Sequence, residues 1–413
     1  MCGAIVSTLH GVSSDVRRDC INLKNAFHQD IYTLMGPLKG FKIIEIAGIG
    51  PGQFAGMLLA DMGASVVRIE RPEKSEPIFA AHDRFNIMNR SRPLIGVDLK
   101  TPRGVQLVLD LCADADAIFE GFRPGVMERL GLGPEQCMAR NPKLVYGRMT
   151  GWGQHGPLAE TVGHDANFIA LSGVYAGIGE KGGKPVYPLN LVGDMGGGGA
   201  YLVIGMLSAM LEATKSGRGQ VIDAAMVDGA ASQMSSIWGF RAANEWKDER
   251  GSNVLDGGAP FYTAYRTGDN LHIAVAPIEN RFYRNLLNVL GLDDIDPASQ
   301  HDQSQWDDVS QKIQAVFETR TRDEWVELLE GTETCCTPIL DMSEVTAHPH
   351  NLSRETLVSI DGITQPAPAP RFSRTVSKIS SPAGSVRPDV KQVLEEWGAS
   401  EETLTKLSKE NQQ

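Results

Sequence analysis

The run Lys42-Ile43-Ile44-Glu45-Ile46-Ala47 is apolar enough for a strand covered on both faces, and a glycine turn, Gly48 to Gly52, follows it directly. From Phe54 to Met62 apolar residues return at helical spacing, and Ser65-Val66-Val67-Arg68-Ile69-Glu70 reads as a second strand. Strand, helix, strand predicts a βαβ unit and the start of a parallel sheet. A second pass follows, with a strand over Pro93 to Leu99, a helix from Thr101 to Cys112 with Pro102 just inside its start, and strands at Ala117-Ile118-Phe119 and Leu144-Val145-Tyr146. The first 190 residues thus alternate like a doubly wound, Rossmann-like α/β domain.

Beyond Asp194 the pattern is helical to about Thr214, and Gly217-Arg218-Gly219 turns the chain into Gln220-Val221-Ile222-Asp223 before another apolar helix from Ala224 to about Trp238. A short strand, Leu271 to Ala276, and amphipathic helices around Phe282 to Leu290, Val309 to Phe317 and Trp325 to Leu329 predict a smaller α+β domain. Gln365 to Pro388, rich in Pro and Ser, predicts an extended surface crossing, and Val390 to Trp397 a short helix docked at the end. The expected organisation is an N-terminal extension over 1–35, a large α/β domain over 36–225, linker helices over 226–260, a small domain over 261–355, and a return crossing with a C-terminal helix over 356–413.

A chain of 413 residues, 42% hydrophobic and 22% charged, is long enough to bury the cores this pattern requires. Its net charge of −12 argues against nucleic acid or an anionic membrane as a general partner, and leaves room for a local arginine cluster on a phosphorylated ligand. Cys2, Cys20, Cys112, Cys137, Cys335 and Cys336 show no C-x-x-C spacing, no disulfide density and no metal signature, so a reducing, intracellular compartment is expected. Cytoplasm, mitochondrion and peroxisome all stay open. Asn411-Gln412-Gln413 is not the Ser-Lys-Leu address, and Asp15, Asp19 and Asp30 among Arg17, Arg18 and Lys24 are unlike an acid-poor transit peptide. The apolar stretch Met195 to Leu211 is interrupted by glycines and ends at Glu212, which predicts a buried helix rather than a membrane span.

The turn Gly48-Ile49-Gly50-Pro51-Gly52-Gln53, with Glu70 at the end of the next strand, has the outline of a dinucleotide fingerprint. Its sixth position is Gln53, not glycine, so a tight strand-to-helix turn is the better reading. Arg68, Arg71, Lys100, Arg123 and Arg129 fall at strand ends or just after them, the edge on which open α/β sheets hold anions. His164 in Gly163-His164-Asp165 and Asp194 in Gly193-Asp194-Met195-Gly196-Gly197-Gly198-Gly199 form a base and a carboxylate, each set among glycines that let a ligand come close. Such a pair suits proton exchange with one carbon from two sides. The glycine-dense loop Gly151 to Pro157 is expected to border a ligand, and Asp194 also reads as the N-cap of the helix that its glycine run opens.

At these residues the chain resembles the α-methylacyl-CoA racemase family, within the superfamily that also holds the class III CoA-transferases. The resemblance runs from about Gly36 to Pro382. It rests jointly on Gly36-Pro37-Leu38-Lys39-Gly40, Ala47 to Gly52, Arg68-Ile69-Glu70-Arg71-Pro72, Glu120-Gly121-Phe122-Arg123-Pro124-Gly125-Val126, Met149 to Gln154, Gly163-His164-Asp165 and Asn190-Leu191-Val192-Gly193-Asp194. It implies His164 and Asp194 as the two acid/base residues and Glu279 as the glutamate that orients the histidine. It also implies that the CoA moiety lies along Arg71, Val97, Asp98, Leu99, Lys100, Gly121, Phe122, Arg123, Arg129, Gly163, Asp165, Ala166, Asn167 and Phe168. The implied activity is interconversion of (2R)- and (2S)-2-methylacyl-CoA thioesters through an enolate, with no cofactor beyond the CoA of the substrate itself. The implied assembly is an interlocked homodimer with Glu279 acting from the small domain. The alternative is a class III CoA-transferase with Asp165 as covalent carboxylate, but its Gly-Tyr-Asp motif has His164 here in place of tyrosine. On the racemase reading Asp165 is expected to act as a helix cap that steadies His164.

Overall fold

The computed structural model describes residues 36–72, 83–384 and four positions of the C-terminal segment, 392, 394, 395 and 397; the 1–35 extension and most of the predicted C-terminal helix lie outside the described residues. Six parallel strands form the main sheet: β1 (Lys42–Ile46), β2 (Ser65–Glu70), β3 (Leu94–Gly96), β4 (Ala117–Glu120), β5 (Val145–Thr150) and β6 (Val221–Ala225), in the order β3-β2-β1-β4-β5-β6. The strand order reverses between β1 and β4, which opens a crevice at the carboxyl ends of those strands.

Side-chain alternation explains why helices cover both faces. In β1, Ile43 joins one core with Phe119, Leu202, Met206 and Met210, while Ile44 and Ile46 join another with Val67, Val108, Leu111 and Ile118. Helix α1 (Pro51–Asp61) opens on Pro51 directly after Gly50, three residues earlier than the apolar spacing suggests. Helix α2 (Pro102–Asp114) opens as expected, with Thr101 accepting the Gly104 N–H at 3.0 Å. The predicted strand over Pro93 to Leu99 shortens to β3, because Thr101 already begins the next helix and Asp98 turns back onto the Lys100 N–H.

Asp194 lies inside a π-helical segment, Val192–Ala200, that continues into α-helix Tyr201–Ser216. The whole helical stretch, Leu189–Ser216, is long and apolar enough by length and composition to cross a membrane. It contributes Leu202, Val203, Met206 and Met210 to the sheet core, so the length expected from sequence was too short while the packing role holds; Ile204 and Leu211 remain exposed. Its glycines admit close neighbours: a Cβ on Gly197 would lie 2.7 Å from the Ala230 nitrogen, and one on Gly198 2.9 Å from Pro51.

A second, antiparallel sheet pairs β7 (Thr263–Arg266), β8 (His272–Val275) and β9 (Cys336–Pro338). Helices Asn280–Leu290, Trp306–Phe317 and Arg322–Leu329 pack on it around Phe261, Tyr265, Ile273, Tyr283 and Phe317. A hairpin, β10 (Leu357–Ile360) and β11 (Ile363–Pro366), is tied to the end of helix α1 by Arg90. That buried guanidinium donates to Asp61 at 3.2 and 2.6 Å, to Gln365 Oε1 at 3.0 Å and to the Pro366 carbonyl at 2.7 Å. Farther on, buried Leu394 and Trp397 join the α2-side core, and Trp397 Nε1 donates to Ser65 Oγ at 3.0 Å.

Candidate functional site

Two chain segments meet beside the turn after β1. The first is helix Asp165–Leu171, with His164 at its N-cap position, extended and exposed; the His164 N–H donates to Asn167 Oδ1 at 3.0 Å. The second is the π-helical segment that carries Asp194. Asp165 joins them: its buried carboxylate accepts the Asp194 N–H at 2.6 Å through Oδ2 and the Tyr187 hydroxyl at 3.1 Å through Oδ1. Gly193 must be glycine here, because a Cβ would collide with Asp165 Oδ2.

This changes two expectations. Asp165 is not the helix cap, since His164 holds that position, and its carboxylate turns away from its own helix to fix Asp194. Asp194 is not an N-cap either: Leu191 is, and Asp194 lies in the first turn with its carboxylate free of capping bonds. Its own N–H is committed to Asp165 and is therefore unavailable to an oxyanion.

The Asp194 carboxylate accepts Asn190 Nδ2 at 3.0 Å and faces Gly50, whose hypothetical Cβ would lie 3.0 Å from Asp194 Oδ2. Burial raises its pKa above the usual carboxylate value, the bond from Asn190 opposes that rise, the charge of Asp165 adds to it, and positive charge on His164 opposes it. His164 and Asp194 thus lie within electrostatic reach of each other. Exposed Ile49, Leu189 and Leu191 flank the residues that touch Asp194. Asn190 and Tyr187 were not singled out as functional, although Asn190 stands four residues before Asp194 in one of the quoted strings.

In the glycine-dense loop Gly151 has a packing explanation, while Gly153 and Gly156 adopt φ of 86° and 103°. A Cβ on Gly151 would lie 2.0 Å from two ring carbons of Phe168, and one on Gly163 2.7 Å from that ring, while Trp152 meets it edge-on at 4.7 Å between centroids. Phe168, Val97 and Asp165 are buried, so of the residues implied for CoA these three face the interior with their side chains. Arg71, Asp98, Lys100, Gly121, Arg123, Arg129 and Asn167 are exposed; Leu99, Phe122, Gly163 and Ala166 are half-buried. Arg71, Lys100, Arg123 and Arg129 follow β2, β3 and β4 on the carboxyl edge of the sheet, and none takes part in an ion pair among the described residues.

Arg68 departs from that group. It is buried, paired with Glu45 beside Arg92, and donates to the Gly48 carbonyl at 3.1 Å, so it anchors the glycine turn from within. Glu279 is exposed at the start of helix Asn280–Leu290, where its charge acts on Cys335 and no hydrogen bond or ion pair links it to His164 among the described residues. No group of three or more His, Cys, Asp or Glu that could hold a metal occurs among the described residues.

The model of CoA-transferase family III matches residues 38–392. A protein named alpha-methylacyl-CoA racemase from Mus musculus is 43% identical over 373 residues, 90% of this chain and 96% of that one. One of the same name from Homo sapiens is 40% identical over 375 residues, with the same shares covered, 90% and 96%. Among solved structures, a CAIB/BAIF family protein from Brucella suis has a TM-score of 0.75 at 25% identity, covering 88% of this chain and all of its own. The parallel sheet, the site beside its glycine turn and these likenesses agree: the chain belongs to CoA-transferase family III.

Proposed function

We propose that the protein is a racemase that interconverts (2R)- and (2S)-2-methylacyl-CoA thioesters by moving a proton at the α-carbon. The observation that carries this reading is Asp165. A covalent carboxylate needs a free oxygen on the path of the thioester, and both oxygens of this one are engaged inside the protein, between the segments bearing His164 and Asp194. That arrangement leaves the imidazole and the Asp194 carboxylate as the pair open to a substrate.

The thioester carbonyl acidifies the α-carbon, so one residue removes its proton and the other returns one to the opposite face of a planar enolate. Neutral His164 serves as base while protonated Asp194 serves as acid, and the reverse direction exchanges the roles. Burial of Asp194 favours its protonated form and so suits the acid half of that cycle. The general acid and the general base contribute about 10²- to 10⁴-fold each, and the remainder falls to donors for the enolate oxygen other than the Asp194 N–H. Exposed Ile49, Leu189 and Leu191 offer an apolar surface for the acyl group. The basic residues after β2, β3 and β4 offer a seat for the phosphates of CoA, whose binding energy helps place the α-carbon.

In our reading the working unit is a homodimer in which Glu279 of one chain orients His164 of the other; the exposure of Glu279 supports this. The test of the function is stereochemical. Chromatographic resolution of (2R)- and (2S)-2-methylacyl-CoA after incubation should show each converted into the other, whereas transfer of CoA to an added carboxylic acid without interconversion would mark a transferase.

A further inference from the structure

Of the four buried acids among the described residues, Glu45 and Asp61 are held by buried arginines and Asp165 joins the site, which leaves Glu120 without an ion pair and outside the proton transfers above. Glu120 ends β4 at the switch point of the sheet, only 4% exposed, and its Oε2 accepts the N–H of Phe122, two residues on, at 2.7 Å. That bond ties the backbone at Phe122 to the end of the strand, one residue before Arg123. The titratable and charged groups that face Glu120 come from two elements: Arg148 and Tyr146 on β5, and Glu128 in the turn Val126–Arg129, where Glu128 also pairs with Arg148.

We propose that Glu120 is a positioning residue for coenzyme binding, whose ionised carboxylate holds the Gly121–Arg123 loop in the form that presents Arg123 to a phosphate. This rests on the CoA-thioester reading above. Burial pushes the Glu120 carboxyl up to about 7, with the repulsion of Glu128 adding to the rise and the Phe122 N–H and Arg148 opposing it. The loop is then held firmly above neutral pH and loosened below it. One pH unit below such a midpoint about one carboxylate in ten remains ionised, and an affinity that requires the ionised form weakens about tenfold.

The experiment is calorimetric titration of free CoA into wild type and Glu120→Gln between pH 6 and 8. Titration of the CoA phosphates is common to both proteins, so the ratio of their dissociation constants isolates Glu120. The wild type should lose about tenfold more affinity than Glu120→Gln on going from pH 8 to pH 6. A ratio that stays constant within about twofold overturns the proposal. If wild type binds no CoA even at pH 8, the thioester reading itself fails. Should the variant fail to fold, amide protection of Phe122 in the wild type, corrected for intrinsic exchange, decides: a fall through pH 7 supports the proposal and a flat profile overturns it.

Discussion

The carboxylate of Asp165 accepts the backbone N–H of Asp194 at 2.6 Å, so the residue that follows one proposed acid/base group fixes the other. A hydrogen bond to a charged group contributes about 1.5–3 kcal/mol. If it acts by positioning, Asp165→Ala should lower kcat about 10- to 100-fold. The check is kcat with the 2-methylacyl thioester, together with mass spectrometry of the wild type under turnover, which should show no acyl or CoA adduct on Asp165.

Gly50 is the second point at which backbone and carboxylate are matched. Its φ of 65° and ψ of −113° lie where only glycine is comfortable, and a Cβ would crowd Asp194 Oδ2. Gly50→Ala should cost about 1–3 kcal/mol in urea unfolding. Activity should fall further than the lost stability explains, measured as kcat on the folded fraction.

The pH dependence follows from the raised pKa of Asp194. The direction of reaction that uses Asp194 as acid should lose rate as pH rises through a midpoint above the ordinary carboxylate value. Asn190 donates to the ionised carboxylate and so favours it; Asn190→Ala should move this limb to still higher pH. Linkage gives the matching stability sign. A carboxyl whose folded pKa is raised favours folding most below its unfolded pKa and loses that contribution as pH rises through the folded pKa. Asp194→Asn should therefore gain Tm relative to wild type on going from pH 4 to pH 8 while lacking activity.

Arg90 with Asp61 tests the packing of the C-terminal hairpin. Both are buried, and Arg90→Met leaves the Asp61 carboxylate without its partner, which should cost about 3–5 kcal/mol in chemical denaturation. Adding Asp61→Asn should recover part of that loss, because burial already raises the Asp61 pKa.

A site shared between two chains, as proposed above, has a complementation test. Chains carrying His164→Ala and chains carrying Glu279→Ala should each be inactive as homodimers. Unfolded and refolded together at equal amounts, they should regain about a quarter of wild-type activity, since half the dimers are mixed and each holds one intact site. Recovery absent from correctly formed mixed dimers would place Glu279 in the same chain's site or outside the reaction.

The sheet was legible because β1, β2 and β4 are short apolar runs buried on both faces and separated by helical periods. β7, β9 and the β10–β11 hairpin were not seen: they have three or four residues each, mixed in polarity and mostly half-exposed, and too short to carry a period. The π-helical turn at Val192–Ala200 was hidden by its five glycines, of which Gly197, Gly198 and Gly199 allow close contact with Pro51, Met226 and Ala230. His164 and Asp194 stood out because glycine flanks both. Asn190, which donates to Asp194, and Tyr187, which donates to Asp165, come from a stretch with no repeating pattern, and the inward turn of Asp165 depends on a contact across the fold that spacing does not encode. The same holds for Arg68, which reads as a strand-end cation and is in fact paired beneath the turn with Glu45.

The central claim is that His164 and Asp194 carry the two proton transfers. Proton NMR of (2R)- and (2S)-2-methylacyl-CoA with the enzyme in deuterium oxide, beside His164→Ala and Asp194→Ala, tests it most directly. Deuterium entering the α-position of both enantiomers with inversion, and racemisation lost in both variants, is the result predicted here; no exchange with the wild type, or full racemisation in either variant, would contradict it.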